Sequence, residues 1–183
     1  MASVIYLKQN KKSNTCLTRG KIMDKKVYEL LNDQINKEMY SAYLYLDMSR
    51  YYNDEGLDGF SAWYKEQAEE EMEHAMKIYE YLQDNGQKIE LKAIAKPDKE
   101  FASIEDPVNI AAEHERYVTS LIHAIYAAAR EVNDYRTEEF LNWFVKEQCE
   151  EEKNADEMVD LVRAYASDKS ALYLLNKDLK KRN

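Results

Sequence analysis

The sequence predicts an all-α protein: a four-helix bundle with a long crossover between its second and third helices and a short fifth helix at the C-terminal end. Three observations lead there. Only four glycines and two prolines punctuate 183 residues, and alanine, leucine, glutamate and lysine are abundant, a composition that favours long helices. Four long stretches repeat apolar residues at alternating steps of three and four, the spacing of one helix face. The connections run short, long, short: "NDEG" at 53–56, a linker with Pro97 between Gly86 and Asp106, and "NDY" at 133–135. Short connections make antiparallel neighbours, and the long one permits a crossover from one end of the bundle to the other.

The first helix is expected from about Asp24 to Tyr52, with Leu31, Ile35, Glu38, Ala42 and Tyr45 on its seam. The second runs from about Asp58 to Asn85, with Asp58 as N-cap and Gly86 as its stop, and its seam is Phe60, Tyr64, Gln67, Glu71, His74 and Ile78. The third spans about Asp106 to Asn133, with Asp106 as N-cap and Pro107 in the first turn; Val108, Ala111, Glu115, Val118, Ile122 and Ile125 form its seam. The fourth, about Thr137 to Ala166, carries Leu141, Phe144, Gln148, Glu151, Ala155, Met158 and Val162, and the fifth covers about Ser170 to Lys181. Residues 1–22 hold a basic run without the apolar centre of a secretory signal. They are expected to be a disordered extension, and residues 23–183 a single domain.

At 45% hydrophobic and 33% charged the chain has enough apolar surface for one core. The net charge of −9 argues against binding nucleic acid over the whole surface and points to cations as guests. No stretch approaches the roughly 18 apolar residues of a membrane span. Cys16 and Cys149 are the only cysteines, so no disulfide framework is implied and a cytoplasmic setting is expected.

Every seam carries a carboxylate near its middle. In "AEEEMEHAM" at 68–76, Glu71 and His74 fall on the inward stripe, whereas Glu69, Glu70 and Glu73 fall on the flank or in solvent. Glu38 lies 18 residues before Gly56 and Glu71 lies 15 after it; Glu115 lies 19 before Asp134 and Glu151 lies 17 after it. At about 1.5 Å per residue the two members of each hairpin differ in level by a turn or so. The halves also repeat: Glu38, Glu71 and His74 in the first have the spacing of Glu115, Gln148 and Glu151 in the second.

Four ionised carboxylates in a dry core repel one another and each costs several kcal/mol to desolvate. One histidine cannot balance them, and no lysine or arginine lies on the seams. Bound divalent cations are the natural counter-charge, and carboxylate with imidazole suits iron, manganese or zinc. Taken singly, a Glu-x-x-His pair or a glutamate-rich run such as "EQCEEEK" is ordinary helix surface; the shared level and the repeat make them a site. His114 and His123 lie off the seams and are expected on the surface or flank, and Cys149 is assigned no role.

"YELLNDQINKEMYSAYLYL", "EQAEEEMEHAM", "AAEHERYVTSLIHAI" and "FLNWFVKEQCEEEK", in that order and spacing, resemble the core segments of the bacterial non-haem ferritins, a branch of the ferritin-like di-iron bundles. The resemblance covers about residues 23 to 180. It implies a ferroxidase and iron-storage protein whose subunits form a twenty-four-member shell, oxidise Fe(II) with O2 or H2O2 and keep ferric mineral inside. Residue by residue it implies one iron at Glu38, Glu71 and His74 and a second at Glu71, Glu115 and Glu151, with Gln148 adjacent and Tyr45 beside the centre. Glu70, Glu147 and Glu150 match positions that, with Glu151, form a third iron site in some members.

Two neighbouring readings use the same bundle. Bacterioferritin ligates haem through a methionine where Met72 stands, but it has a second Glu-x-x-His where this chain has Gln148 and Glu151. A rubrerythrin-like peroxidase often adds a Cys-x-x-Cys domain, and no such motif occurs here.

Overall fold

A computed structural model describes residues 23–180; the expectation for residues 1–22 and the last residue of the predicted fifth helix, Lys181, lie outside that range. The chain forms α1 (Lys25–Asp54), α2 (Asp58–Asp84), α3 (Asp106–Glu131), α4 (Tyr135–Tyr165) and α5 (Lys169–Leu179). As the short connections require, α1 packs along α2 and α3 along α4, with α1 against α3 joining the two hairpins and α5 seated on α2 and α4.

The termini have local causes. The Asp24 carboxylate accepts from the amides of Lys26 and Val27 and starts α1; Asp134 starts α4 through Thr137, two residues earlier than the periodicity suggests. Gly86, with φ +68°, ends α2, and its neighbours close the helix with bonds from Gly86 N to Gln83 O and Gln87 N to Leu82 O. Asn133, at φ 55°, ends α3 in the same way.

Two expected caps differ. Asp106 is the first helical residue of α3, and its carboxylate accepts from the amides of Ala102 and Ser103, bracing the end of the crossover instead. Asp58 likewise sits inside α2, whose N-cap, Leu57, has no side chain to offer. Asn176 of α5 supplies what is missing: its Oδ1 accepts from Gly59 N at 2.7 Å and Phe60 N at 3.2 Å, and its Nδ2 donates to Asp58. The helix backbones touch there, and a Cβ on Gly59 would stand 1.7 Å from the Asn176 carbonyl oxygen.

The crossover has no regular secondary structure from Gln87 to Phe101. Its first part is held by one stripe of α1. Tyr28 donates to the Lys88 carbonyl, Asn32 exchanges two bonds with Glu90, and Asn36 donates to the Lys92 and Ala93 carbonyls.

The core divides into two apolar clusters. One gathers Leu31, Ile35, Ile78, Ile122 and Phe144, and the other Tyr45, Tyr52, Phe60, Tyr64 and Met158. Between them every helix of the bundle contributes buried polar side chains.

Candidate metal centre

All four seam carboxylates are buried: Glu38 and Glu115 are 1% exposed, Glu71 2% and Glu151 5%, with His74 at 4%. The three-and-four spacing thus delivers one glutamate per helix to the layer between the apolar clusters. One ligand atom each from Glu38, Glu71 and His74 lie within 4.8 Å of one another, as do atoms of His74, Glu147 and Glu151. His74 Nδ1 is 3.6 Å from Glu71 Oε2, so the imidazole stands between both acidic groups.

The protein satisfies only part of this set. Gln34 donates to Glu38 Oε1, Gln67 to Glu151 Oε2, and Tyr45 to Glu115 Oε1. Gln148 Nε2 lies 3.2 Å from Glu115 Oε2 and 3.3 Å from the Thr119 hydroxyl. Glu38 Oε2 and Glu71 Oε2 are buried without a hydrogen-bond partner among the described residues. A buried carboxylate oxygen left unpaired is costly, and oxygens converging with an imidazole nitrogen are what a divalent transition metal takes. The donor set fits such an ion.

Electrostatics point the same way. Burial, then the neighbouring Glu71 charge, hold the Glu38 carboxyl well above the usual range. Burial, with Glu115 and Glu151, does the same to Glu71. Glu115 is raised by burial against the lowering effect of the Tyr45 and Gln148 bonds. Burial, with Glu115 and Glu70, lifts Glu151 to about 7. The metal-free centre therefore holds protons that a cation would displace.

The remaining predicted residues separate. Glu70 is half-buried, and its charge acts on Glu71 and Glu151. Glu147 is half-buried in the group with His74 and Glu151; Glu150 is exposed and outside it. Met72 and Cys149 are exposed on their helices. His123 is exposed on the surface and His114 is half-buried on the flank of α3 against α1, both off the seams as expected; His114 Nε2 is 2.7 Å from the Ser41 hydroxyl. Burial, with Lys99 and Lys37 nearby, pushes it down to about 4.

Residue typing missed two supports of the centre. Gln34 precedes Glu38 by four residues, a helical spacing that could have flagged it. Trp143 stands edge-on to His74, with ring centroids 5.4 Å apart, under the Lys77 ammonium at 4.2 Å; that contact joins α2 to α4 and has no signal within either helix.

Fold and site together define a helical-bundle protein with a buried carboxylate and imidazole group that could hold a metal ion. The model of the ferritin-like domain matches residues 28–164. The chain is 37% identical over 162 residues to the bacterial non-heme ferritin of Staphylococcus haemolyticus, covering 88% of this chain and 98% of that one. It is 36% identical over 158 residues to a probable bacterial non-heme ferritin-like protein of Haemophilus influenzae, covering 86% and 96%. Among solved structures, an open pore ferritin from the archaeon Archaeoglobus fulgidus superposes with a TM-score of 0.86 at 41% identity, covering 88% of this chain and 98% of the other. The chain belongs to the ferritin family.

Proposed function

We propose that this protein stores iron and oxidises it on entry, as a ferroxidase. The observation that carries the reading is the pair of oxygens without a hydrogen-bond donor, Glu38 Oε2 and Glu71 Oε2, buried beside His74. In this reading Fe(II) is substrate and cargo. Glu38, Glu71 and His74 hold one ion, Glu115 and Glu151 hold another, and Glu71 lies between them as the bridge.

Two Fe(II) held together give up one electron each to dioxygen or hydrogen peroxide, so the acceptor is reduced by a pair of electrons. Carboxylate ligands favour Fe(III), and the protons displaced from Glu38, Glu71 and Glu151 on metal binding are available to the reduced acceptor. Tyr45 and Gln148 orient Glu115, and Gln67 orients Glu151. Gln148, a neutral side chain in the place of a ligand, leaves the second position the weaker one, which suits an ion that must move on to storage. Glu147 and Glu70 mark where a third ion would rest.

No helix among the described residues is long and apolar enough to cross a membrane. We place the protein in the cytoplasm as a shell of twenty-four subunits, on the family resemblance. Aerobic loading with excess Fe(II), followed by gel filtration with iron and protein read together, tests the reading. Hundreds of irons eluting with a particle far larger than one 21.6 kDa chain are expected. About two irons per chain, with the rest precipitated, would leave a di-iron oxidase without storage.

A further inference from the structure

A cavity of about 490 Å³ opens between α1, α3 and the second part of the crossover, away from the carboxylate layer. Its size is that of small-molecule sites, roughly 300–1,000 Å³. Its inner wall is aromatic: the His114 ring lies with its centroid 6.0 Å from Tyr40 and 6.2 Å from Tyr117. Lys37, half-buried, has its ammonium 5.7 Å from the centroid of the Tyr117 ring, and Lys96 and Lys99 stand at the mouth. Asp98 and Glu113 are the acidic lining residues, both exposed.

In a chain of net charge −9, the lining of this cavity carries three ammonium groups against two carboxylates. Lys37, half-buried beside the Tyr117 ring, carries one of these charges inward of the mouth. An excess of ammonium groups opposes Fe(II) and favours an anion, while tyrosine and imidazole rings along the wall favour a flat ring. From this juxtaposition we propose that the cavity binds a planar aromatic molecule bearing a phosphate or carboxylate, its ring against Tyr40, His114 and Tyr117 and its charge at Lys37 and the mouth lysines.

The site is separate from the iron reading and stands or falls without it. His114 lines its inner wall and is backed by the Ser41 hydroxyl, 2.7 Å from its Nε2. The His114 ring meets Tyr45 edge-on, with centroids 6.1 Å apart, so an occupant would rest one layer of rings outside the metal centre.

Flavin mononucleotide, which joins a flat heteroaromatic ring to a phosphate, is the probe. Its fluorescence is titrated with the assembled, metal-free, full-length protein, alongside riboflavin, which has the ring alone. Saturable quenching at one flavin per chain is expected, with riboflavin about tenfold weaker. Lys37→Gln should bring the mononucleotide down to the riboflavin level, and Tyr117→Ala should weaken both flavins together. Lys96→Gln, at an exposed position, repeats the charge test with no risk to folding. Iron loading should be unchanged in all three variants, so failure here is distinct from failure of the storage reading. No saturable quenching up to about 1 mM, or quenching that the variants leave intact, overturns the proposal.

Discussion

The Tyr45 hydroxyl on α1 donates to Oε1 of Glu115 on α3, tying the two hairpins together at the carboxylate layer. Burial keeps that phenol protonated, so it serves as a fixed donor. Tyr45→Phe should fold normally, leave Glu115 without its donor and weaken one of two Fe(II) binding steps about tenfold. An anaerobic titration identical to wild type would show that Tyr45 does not position Glu115.

Glu71→Gln separates stability from binding. The amide is neutral without taking up a proton and can donate to the Glu38 oxygen that lacks a hydrogen-bond partner. The metal-free protein should gain on the order of 1 kcal/mol, read by urea unfolding, while both Fe(II) steps weaken. Loss of stability in this variant would mean that the site is not under electrostatic strain.

The raised carboxyls give an unusual pH dependence. A carboxyl with a folded pKa above its unfolded value near 4.5 binds a proton preferentially in the folded state, so its destabilising effect grows as pH rises from there to the folded pKa. For Glu151 that window runs from about 4.5 to about 7, and Glu38 and Glu71 act in the same direction. His114, lowered from 6.5 to about 4, opposes them with a single proton as pH falls through that range. The metal-free melting temperature should therefore fall between pH 4.5 and 7, and Glu151→Gln should flatten the slope. A melting temperature that climbs across this window would contradict the assignment.

Much of this was legible in the chain. Each seam residue on the first three helices is buried, and on the fourth only Ala155 is partly exposed, because a 3.6-residue repeat states which face is inward. The shared level of Glu38, Glu71, Glu115 and Glu151 followed from loop positions and helical rise. The cap of α2 was not legible: Gly59 and Asn176 are 117 residues apart, and a polar side chain that completes a distant helix leaves no local pattern. The depth of His114 on its flank was not legible for a related reason. Its burial comes from α1 and the crossover, and its own helix gives no sign of either.

The latch between α5 and α2 is therefore open to test. Asn176→Ala should cost about 1–3 kcal/mol and expose the turn at 166–168 to limited proteolysis. Gly59→Ala, whose Cβ meets the α5 backbone, should do the same or more. Protease resistance equal to wild type in both would show that α5 is held by other contacts.

Gln148→Glu would replace the donor to Glu115 and Thr119 with a further negative charge. The metal-free form should be less stable, and iron should leave the centre more slowly. Unchanged turnover after the first loading cycle, followed by stopped-flow absorbance, would remove the role given to the neutral side chain.

The stripe of Tyr28, Asn32 and Asn36 that grips the crossover has a numerical side. Four residues of helix advance about 6.0 Å, and two residues of extended chain advance about 6.6 Å, so the two repeats are nearly commensurate. A side chain every fourth position on α1 thus meets the crossover carbonyls at 88 and 90 and, through Asn36, those at both 92 and 93. The helix acts as a ruler laid beside the strap. One residue inserted before Lys92 would shift the strap out of step with the ruler and break several bonds together.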